Sequence, residues 1–138
     1  MRDIKFKAQR VGDREWVYGS YTQMREEDHN ECFRTKPHKT YHRIWQWEAW
    51  DWDMGGYANY EVIPETIGQF TGLKDKNWVE IYEGDIFHLG DKNITYTVVW
   101  HDTGLRGKQN GTSSYVGLEH WKRHIEIVGN IHDKNKQQ

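Results

Sequence analysis

Apolar and polar positions first alternate between Ile4 and Gln9. Ile4, Phe6 and Ala8 fall on one side, Lys5, Lys7 and Gln9 on the other, the period-two pattern of a half-buried strand. Val11-Gly12-Asp13-Arg14 supplies turn chemistry, and Trp16 to Tyr21 reads as the returning strand of a hairpin. From Thr22 to Thr40 the chain is polar, and it reads as a long loop with one irregular strand near Cys32-Phe33. Loops of that length are functional or mobile. Tyr41 to Asp53 is ambiguous. As a strand it puts Trp45, Trp47 and Ala49 on one face and Ile44, Trp50 and Trp52 on the other; as a helix it aligns Trp45, Ala49 and Trp52. Aromatic enrichment favours a strand, with a bulge that changes register between Trp47 and Trp50. Met54-Gly55-Gly56 is expected to end it, and Asn59 to Ile63 forms a further run stopped by Pro64.

The densest punctuation lies between Ile67 and Phe87. Short apolar runs are separated there by Gly68, Gly72, the turn Asp75-Lys76-Asn77-Trp78, and Gly84-Asp85. Asn77 tolerates a left-handed backbone and is the expected pivot of the turn. Gly84 is expected at positive φ. Ile86–Leu89 and Ile94–His101 form an expected hairpin across Gly90-Asp91-Lys92-Asn93, with Ile94, Tyr96, Val98 and Trp100 on one face. Asp102 to Ser114 reads as a mobile loop, Ser114–Leu118 as a strand, Glu119–His124 as a helical turn, and Ile125–Ile131 as the closing strand. Eight or nine short strands with little helix predict a mainly β chain. The expected fold is a small antiparallel barrel, SH3-like in kind, with long loops. One domain over residues 1–132 and a frayed tail over 133–138 complete the expectation.

Composition sharpens this. Hydrophobic residues make up 36% of 138 and charged residues 29%, a thin apolar supply. Eight Trp and eight Tyr lead to the expectation of a small, aromatic core. A formal net charge of −2 gives no global pull towards nucleic acid or an anionic membrane. The single cysteine excludes an internal disulfide and fits a reducing compartment. The charged opening lacks a signal-peptide core, and no apolar run reaches membrane-spanning length. The cytoplasm of a bacterial host is the expected location.

Val62 to Asn77, followed by Glu80-Ile81-Tyr82-Glu83-Gly84-Asp85-Ile86, resembles the YopX family of phage and prophage proteins. The opening Arg2 to Ala8 and the closing Ile127 to His132 are similar to that family's two ends. The resemblance implies a mainly β protein of small-barrel character, with no catalytic residues and no cofactor attached to the motif. Gly68, Gly72, Asp75, Asn77, Gly84 and Asp85 then serve the turns. One departure stands out: Trp78 occupies a position where the family's turn usually carries glycine, so either Asn77 carries the left-handed turn alone or the loop is remodelled and presents an indole outward.

Few residues suggest chemistry. His29, Cys32, His38 and His42 are zinc-ligand types, but their spacing matches no strong finger pattern and eight histidines make chance clusters expected. His120 and His124 would share a helical face, without a matching partner. His101 and Asp102 are adjacent and would point to opposite faces of a strand. No nucleophile elbow, phosphate loop, dinucleotide fingerprint or zinc-protease helix is present. The remaining candidates are Trp45, Trp47, Trp50 and Trp52, with Trp78. Core placement of two of the first four is the plainest expectation. Exposed, they would serve a protein partner, a second copy of the chain included. Nucleic acid is the second reading, because Glu48, Asp51 and Asp53 interleave the indoles. The expected protein is a non-enzymatic accessory without cofactor or membrane partner.

Overall fold

A computed structural model describes residues 3–25 and 40–133. The expected strand at Cys32-Phe33 and the tail beyond residue 133 lie outside them. The chain is mainly β and antiparallel. It divides into two units: Lys5–Ile67, and Gly68 onward together with the first four residues.

In the first unit, β1 (Phe6–Gln9) and β2 (Trp16–Arg25) form the N-terminal hairpin, with Phe6 opposite Gly19 and Gln9 opposite Trp16. The turn is built by Gly12 at φ 107° and Arg14 at φ 61°. The Arg10 guanidinium bonds to Asp13 and the Glu15 amide donates to the same carboxylate. These contacts, Arg10 foremost, lower the Asp13 pKa to about 2. β1 is buried on both faces, not half-buried: Lys7, Ala8 and Gln9 are all covered, while Ile4 is exposed. Lys7 reaches this burial with its ammonium 4.7 Å from the Trp16 ring centre. β2 runs four residues further than expected, to Arg25, because Arg25 through Ser20 pair with Thr40 through Trp45 of β3 (Thr40–Asp51).

β4 (Met54–Glu61) returns beside β3, giving the order β4-β3-β2-β1. Met54-Gly55-Gly56 therefore starts a strand instead of ending one. Pro64–Thr66 makes a single 3-10 turn, tied back where the Gln9 amide donates to Thr66 Oγ1. The core is Ala8, Val17, Ile44 and Val62, with Phe6, Tyr21, Tyr60 and Ile67 packed against it.

The second unit holds β5 (Gly68–Lys74) and β6 (Glu80–Tyr82), paired with each other. A five-stranded sheet follows, made of β7 (Asp85–His88), β8 (Thr95–His101), β9 (Gly104–Gln109), β10 (Tyr115–Val116) and β11 (Glu126–Asn130), in the order β10-β9-β8-β7-β11. That order is open; among the described residues β10 and β11 are not joined. The short helix α1 (Leu118–Trp121) precedes β11. The expected loop at 102–114 contains β9, which pairs with β8 from Gln109 opposite Tyr96 to Gly104 opposite His101. Ile81, Phe87, Val98, Leu118 and Ile125 form the core. The Ile94–Trp100 stripe reaches it only at its middle: Val98 is buried, Ile94 and Trp100 are exposed.

The motif between residues 67 and 87 folds largely by glycine and aspartate. A Cβ on Gly68 would sit 2.3 Å from the Glu83 carbonyl oxygen, so backbones approach there as only glycine allows. Gly84 stands at φ 92°. Asp85 is buried; it accepts from the Tyr82 amide at 2.8 Å and from Asn130 Nδ2 at 3.0 Å.

Candidate interaction site at the β3–β4 hairpin

β3 is longer than its neighbour. Its last partner in β2 is Ser20, opposite Trp45. Among the described residues, Gln46 to Asp51 pair only with β4, Trp47 opposite Tyr57 and Glu48 opposite Gly56. The segment is a two-stranded ribbon extending past β2, and two strands alone are marginal in water. Aromatic side chains take up that deficit. Trp47 packs edge-on to Tyr57, ring centres 5.3 Å apart. A Cβ on Gly55 would lie 2.8 Å from Trp47 Cζ2, and one on Gly56 would lie 3.2 Å from Trp50 Cη2. The indoles thus occupy the space two glycine side chains would have filled. The register shifts between Ala49 and Asp51. The bulge falls at Trp50, next to the expected interval, and it shifts the alternation of the residues after it, so that Trp52 borders the same concavity as Trp47.

The outcome for the tryptophans differs from the expected core placement. Trp45 is half-buried, its Nε1–H donating to Thr22 Oγ1 at 2.9 Å. Trp47, Trp50 and Trp52 are 58%, 72% and 90% exposed. None belongs to the core. Among the described residues this stretch of β3 pairs with β4 alone, and a two-stranded ribbon offers little interior to place them in. With Met54 and Tyr57, also exposed, they make the tip apolar on both sides. Trp47, Ala49, Trp52, Met54 and Gly55 border a concavity of about 490 Å³. Charge at the tip is of one sign: Glu48, Asp51 and Asp53 are present, and residues 46–58 contain no Lys, Arg or His. Glu48 is engaged by the Tyr60 hydroxyl, a bond that raises the Tyr60 pKa.

The model of the YopX protein family matches residues 5–136. The chain belongs to the YopX family. None of the curated proteins matches it. Its fold is similar to the crystal structure of protein EF1440 from Enterococcus faecalis, with TM-score 0.52 and 19% identity over 96% of this chain and 95% of that one. At that identity the likeness concerns the fold alone.

The other candidates of this YopX chain fall as follows. His29, Cys32 and His38 lie outside the described residues. His42, on β3, sits with Nδ1 2.6 Å from the Tyr21 hydroxyl and stacks on that ring. His120 and His124 are exposed on either side of Trp121, and α1 ends before His124. His101 and Asp102 do meet, Nε2 to Oδ2 at 3.6 Å, contrary to expectation. Asp102 is not in a strand but in the β8–β9 turn at φ 57°. Asp102 is exposed and His101 half-buried, and the imidazole stacks on Tyr115.

The Asp75–Trp78 turn also departs from expectation. Asn77 is not its left-handed residue; Trp78 is, at φ 66°. Asp75 fixes the loop. Its Oδ1 accepts from the Asn77 and Val79 amides at 2.8 and 2.9 Å, and its Oδ2 accepts from the Ile127 amide at 3.1 Å. Lys76 N–H donates to the Ile125 carbonyl, joining the loop to the start of β11. Trp78 is left 79% exposed. Of the two expectations for this turn, the outward indole agrees with the structure, and the reversal at Asn77, the neighbour with the better propensity, does not.

Proposed function

We propose that this chain is a non-enzymatic accessory protein of a phage or prophage, acting in the bacterial cytoplasm by binding a protein through the β3–β4 hairpin. The observation that carries the reading is the exposure of Trp47, Trp50 and Trp52 on a ribbon that, among the described residues, pairs only with itself. Together with Tyr57 they offer roughly 700 Å² of aromatic surface, taking about 200–250 Å² for a whole side chain. A standard interface uses about 800 Å² per partner, and Trp is a frequent energetic anchor. The acidic rim selects a partner with an apolar groove bordered by Lys or Arg. It also disfavours tip-to-tip pairing of two copies, since like charges would face each other. Nucleic acid fits this hairpin poorly for the same reason. The family's small-barrel character belongs to the same proposal; the register shift in β11 between Ile127 and Gly129 supports strong local twist.

Trp50→Ser combined with Trp52→Ser tests it. Both residues lie outside the core, so circular dichroism should still report the folded sheets; because Trp50 shields Gly56, Trp52→Ser alone, which keeps that contact, should weaken binding in the same direction. The wild-type chain, immobilised, should retain a host protein that the double variant releases, with affinity at least tenfold weaker in a titration of that isolated protein. Equal retention by both chains would refute the proposal, as would retention of nothing by the wild type.

A further inference from the structure

A second exposed indole sits in a different chemical setting. Trp78 borders a concavity of about 1010 Å³ within the second unit, together with Lys74, Lys76, Lys122 and Arg123 and, among apolar residues, Leu73. Three acids also line it. Asp75 is buried and accepts three backbone N–H groups. Glu80 accepts from the Tyr82 hydroxyl at 2.9 Å. Asp3 is exposed. Lys74 and Arg123 have no acidic partner among the described residues. Lys76 pairs with Glu126 at 3.0 Å and Lys122 with Glu119 at 3.1 Å. Both are exposed pairs of the kind that contribute little and exchange readily.

The backbone adds the second observation. A left-handed conformation is uncommon for a bulky residue and marks strain. Strain persists where the surroundings hold it, and such positions gather at ligand sites. Here Asp75 and the bonds to Ile125 and Ile127 hold it, yet the indole is 79% exposed and gives the fold little packing in return. An outward-facing Trp ring beside four cations has a definite complement. A nucleobase offers a flat π-face for stacking, and its phosphate offers charge for Lys and Arg.

We infer that Trp78, Lys74, Lys76, Lys122 and Arg123 form a binding site for a phosphate-bearing nucleobase, taken from single-stranded nucleic acid or from a free nucleotide. The inference uses none of the hairpin residues and stands apart from the protein-binding proposal. The base stacks on Trp78. Lys74 and Arg123 take the nearest phosphate, and Lys76 and Lys122 leave their surface pairs to join them.

Fluorescence anisotropy with a labelled oligothymidylate of about 12 nucleotides, at about 50 mM salt, tests this in the full chain. Binding is expected, weakening roughly 20- to 50-fold by about 200 mM salt if three or four phosphates are contacted. Trp78→Ala should weaken it about five- to 150-fold, the worth of one base–aromatic stack. Arg123→Ala should weaken it and lower the salt slope, while Lys108→Ala, an exposed cation on β9 outside the concavity, should do neither. Competition by thymidine monophosphate would identify the free nucleotide as sufficient; competition by the oligonucleotide alone would assign the site to strands. No binding at low salt overturns the inference. So does binding that Trp78→Ala leaves intact, or displacement by polyglutamate as effective as by the oligonucleotide.

Discussion

The conformation of Trp78 makes a sign prediction that needs no ligand. At φ 66° any residue with a Cβ carries a left-handed penalty of about 1–2 kcal/mol, which glycine escapes. Glycine returns about 0.4–1 kcal/mol of that through the greater freedom of its unfolded chain. About a fifth of the side chain is covered, since it is 79% exposed. That is roughly 50 Å² of a ring worth about 250 Å², or about 1.2 kcal/mol at 25 cal per Å². Trp78→Ala loses this burial and keeps the strain, so it should destabilise by about 1 kcal/mol. Trp78→Gly loses the same burial but relieves the strain. It should lie within about 0.5 kcal/mol of wild type and above Trp78→Ala by about 0.5–1 kcal/mol. Equilibrium urea unfolding followed by far-ultraviolet circular dichroism measures both, with unchanged m-values as the check. At an ordinary negative φ the order reverses, glycine being worse than alanine by about 0.5–1 kcal/mol. A less stable glycine variant would therefore refute the left-handed assignment and remove the strain argument for the nucleobase site.

Two further predictions concern the second unit. Asp85→Ala leaves the Tyr82 amide and the Asn130 side chain without their buried carboxylate acceptor. Losing two hydrogen bonds to a charged group should cost about 3–5 kcal/mol in the same urea assay; a loss below about 1 kcal/mol would contradict the assignment. Glu83 titrates above the ordinary carboxylate range because burial disfavours its charge, while the Gln69 amide and the Trp100 side chain pull the other way. The folded state then binds the proton more tightly than the unfolded one. The stability due to the protonated form is full below the unfolded value and is lost as pH rises through the raised one. Glu83→Gln should accordingly stabilise at neutral pH and lose that advantage below the unfolded carboxylate range, which thermal melts across pH would read; a constant difference would refute it.

Most hairpins were legible because alternation reports a face that meets a core. The β1–β2 and β7–β8 hairpins and the closing β11 were found this way, although β1 proves buried on both faces, and Gly84 was read from the need for a sharp reversal. The errors share a physical cause. Met54-Gly55-Gly56 and Gly104–Gln109 look like breakers and loop, yet both are in strands. A Cβ on Gly107 would lie 2.6 Å from Phe87 Cζ, just as Trp47 and Trp50 lie against Gly55 and Gly56. In each case a ring from another strand of the same sheet, the adjacent β3 for Gly55 and Gly56 and β7 beyond β8 for Gly107, fills the place of the missing side chain. Propensity, computed one residue at a time, cannot register a partner that arrives across the sheet. The same limit moved the turn pivot to Asn77, since the bonds that hold Trp78 left-handed come from Asp75 and are reinforced by Ile125 and Ile127.

The tryptophans were misread more deeply, and the misreading bears on function. Eight of them in a chain with few aliphatic residues suggested an aromatic interior. Instead the two cores are built on Ala8, Val17, Ile44 and Val62, and on Ile81, Phe87, Val98, Leu118 and Ile125. No tryptophan is buried, and Trp47, Trp50, Trp52, Trp78, Trp100 and Trp121 are exposed. Fold stability gives little reason to keep a large ring in water, because the ring contributes only for the area it covers. Trp47 and Trp50 have a partial structural reason in the glycines they shield. Trp52 and Trp78, the two most exposed, have none of that kind: one tips an acidic ribbon, the other stands among cations. Those opposite electrostatic surroundings are why the two rings are assigned different partners, a basic-rimmed protein groove for the hairpin and a phosphate-bearing base for the turn.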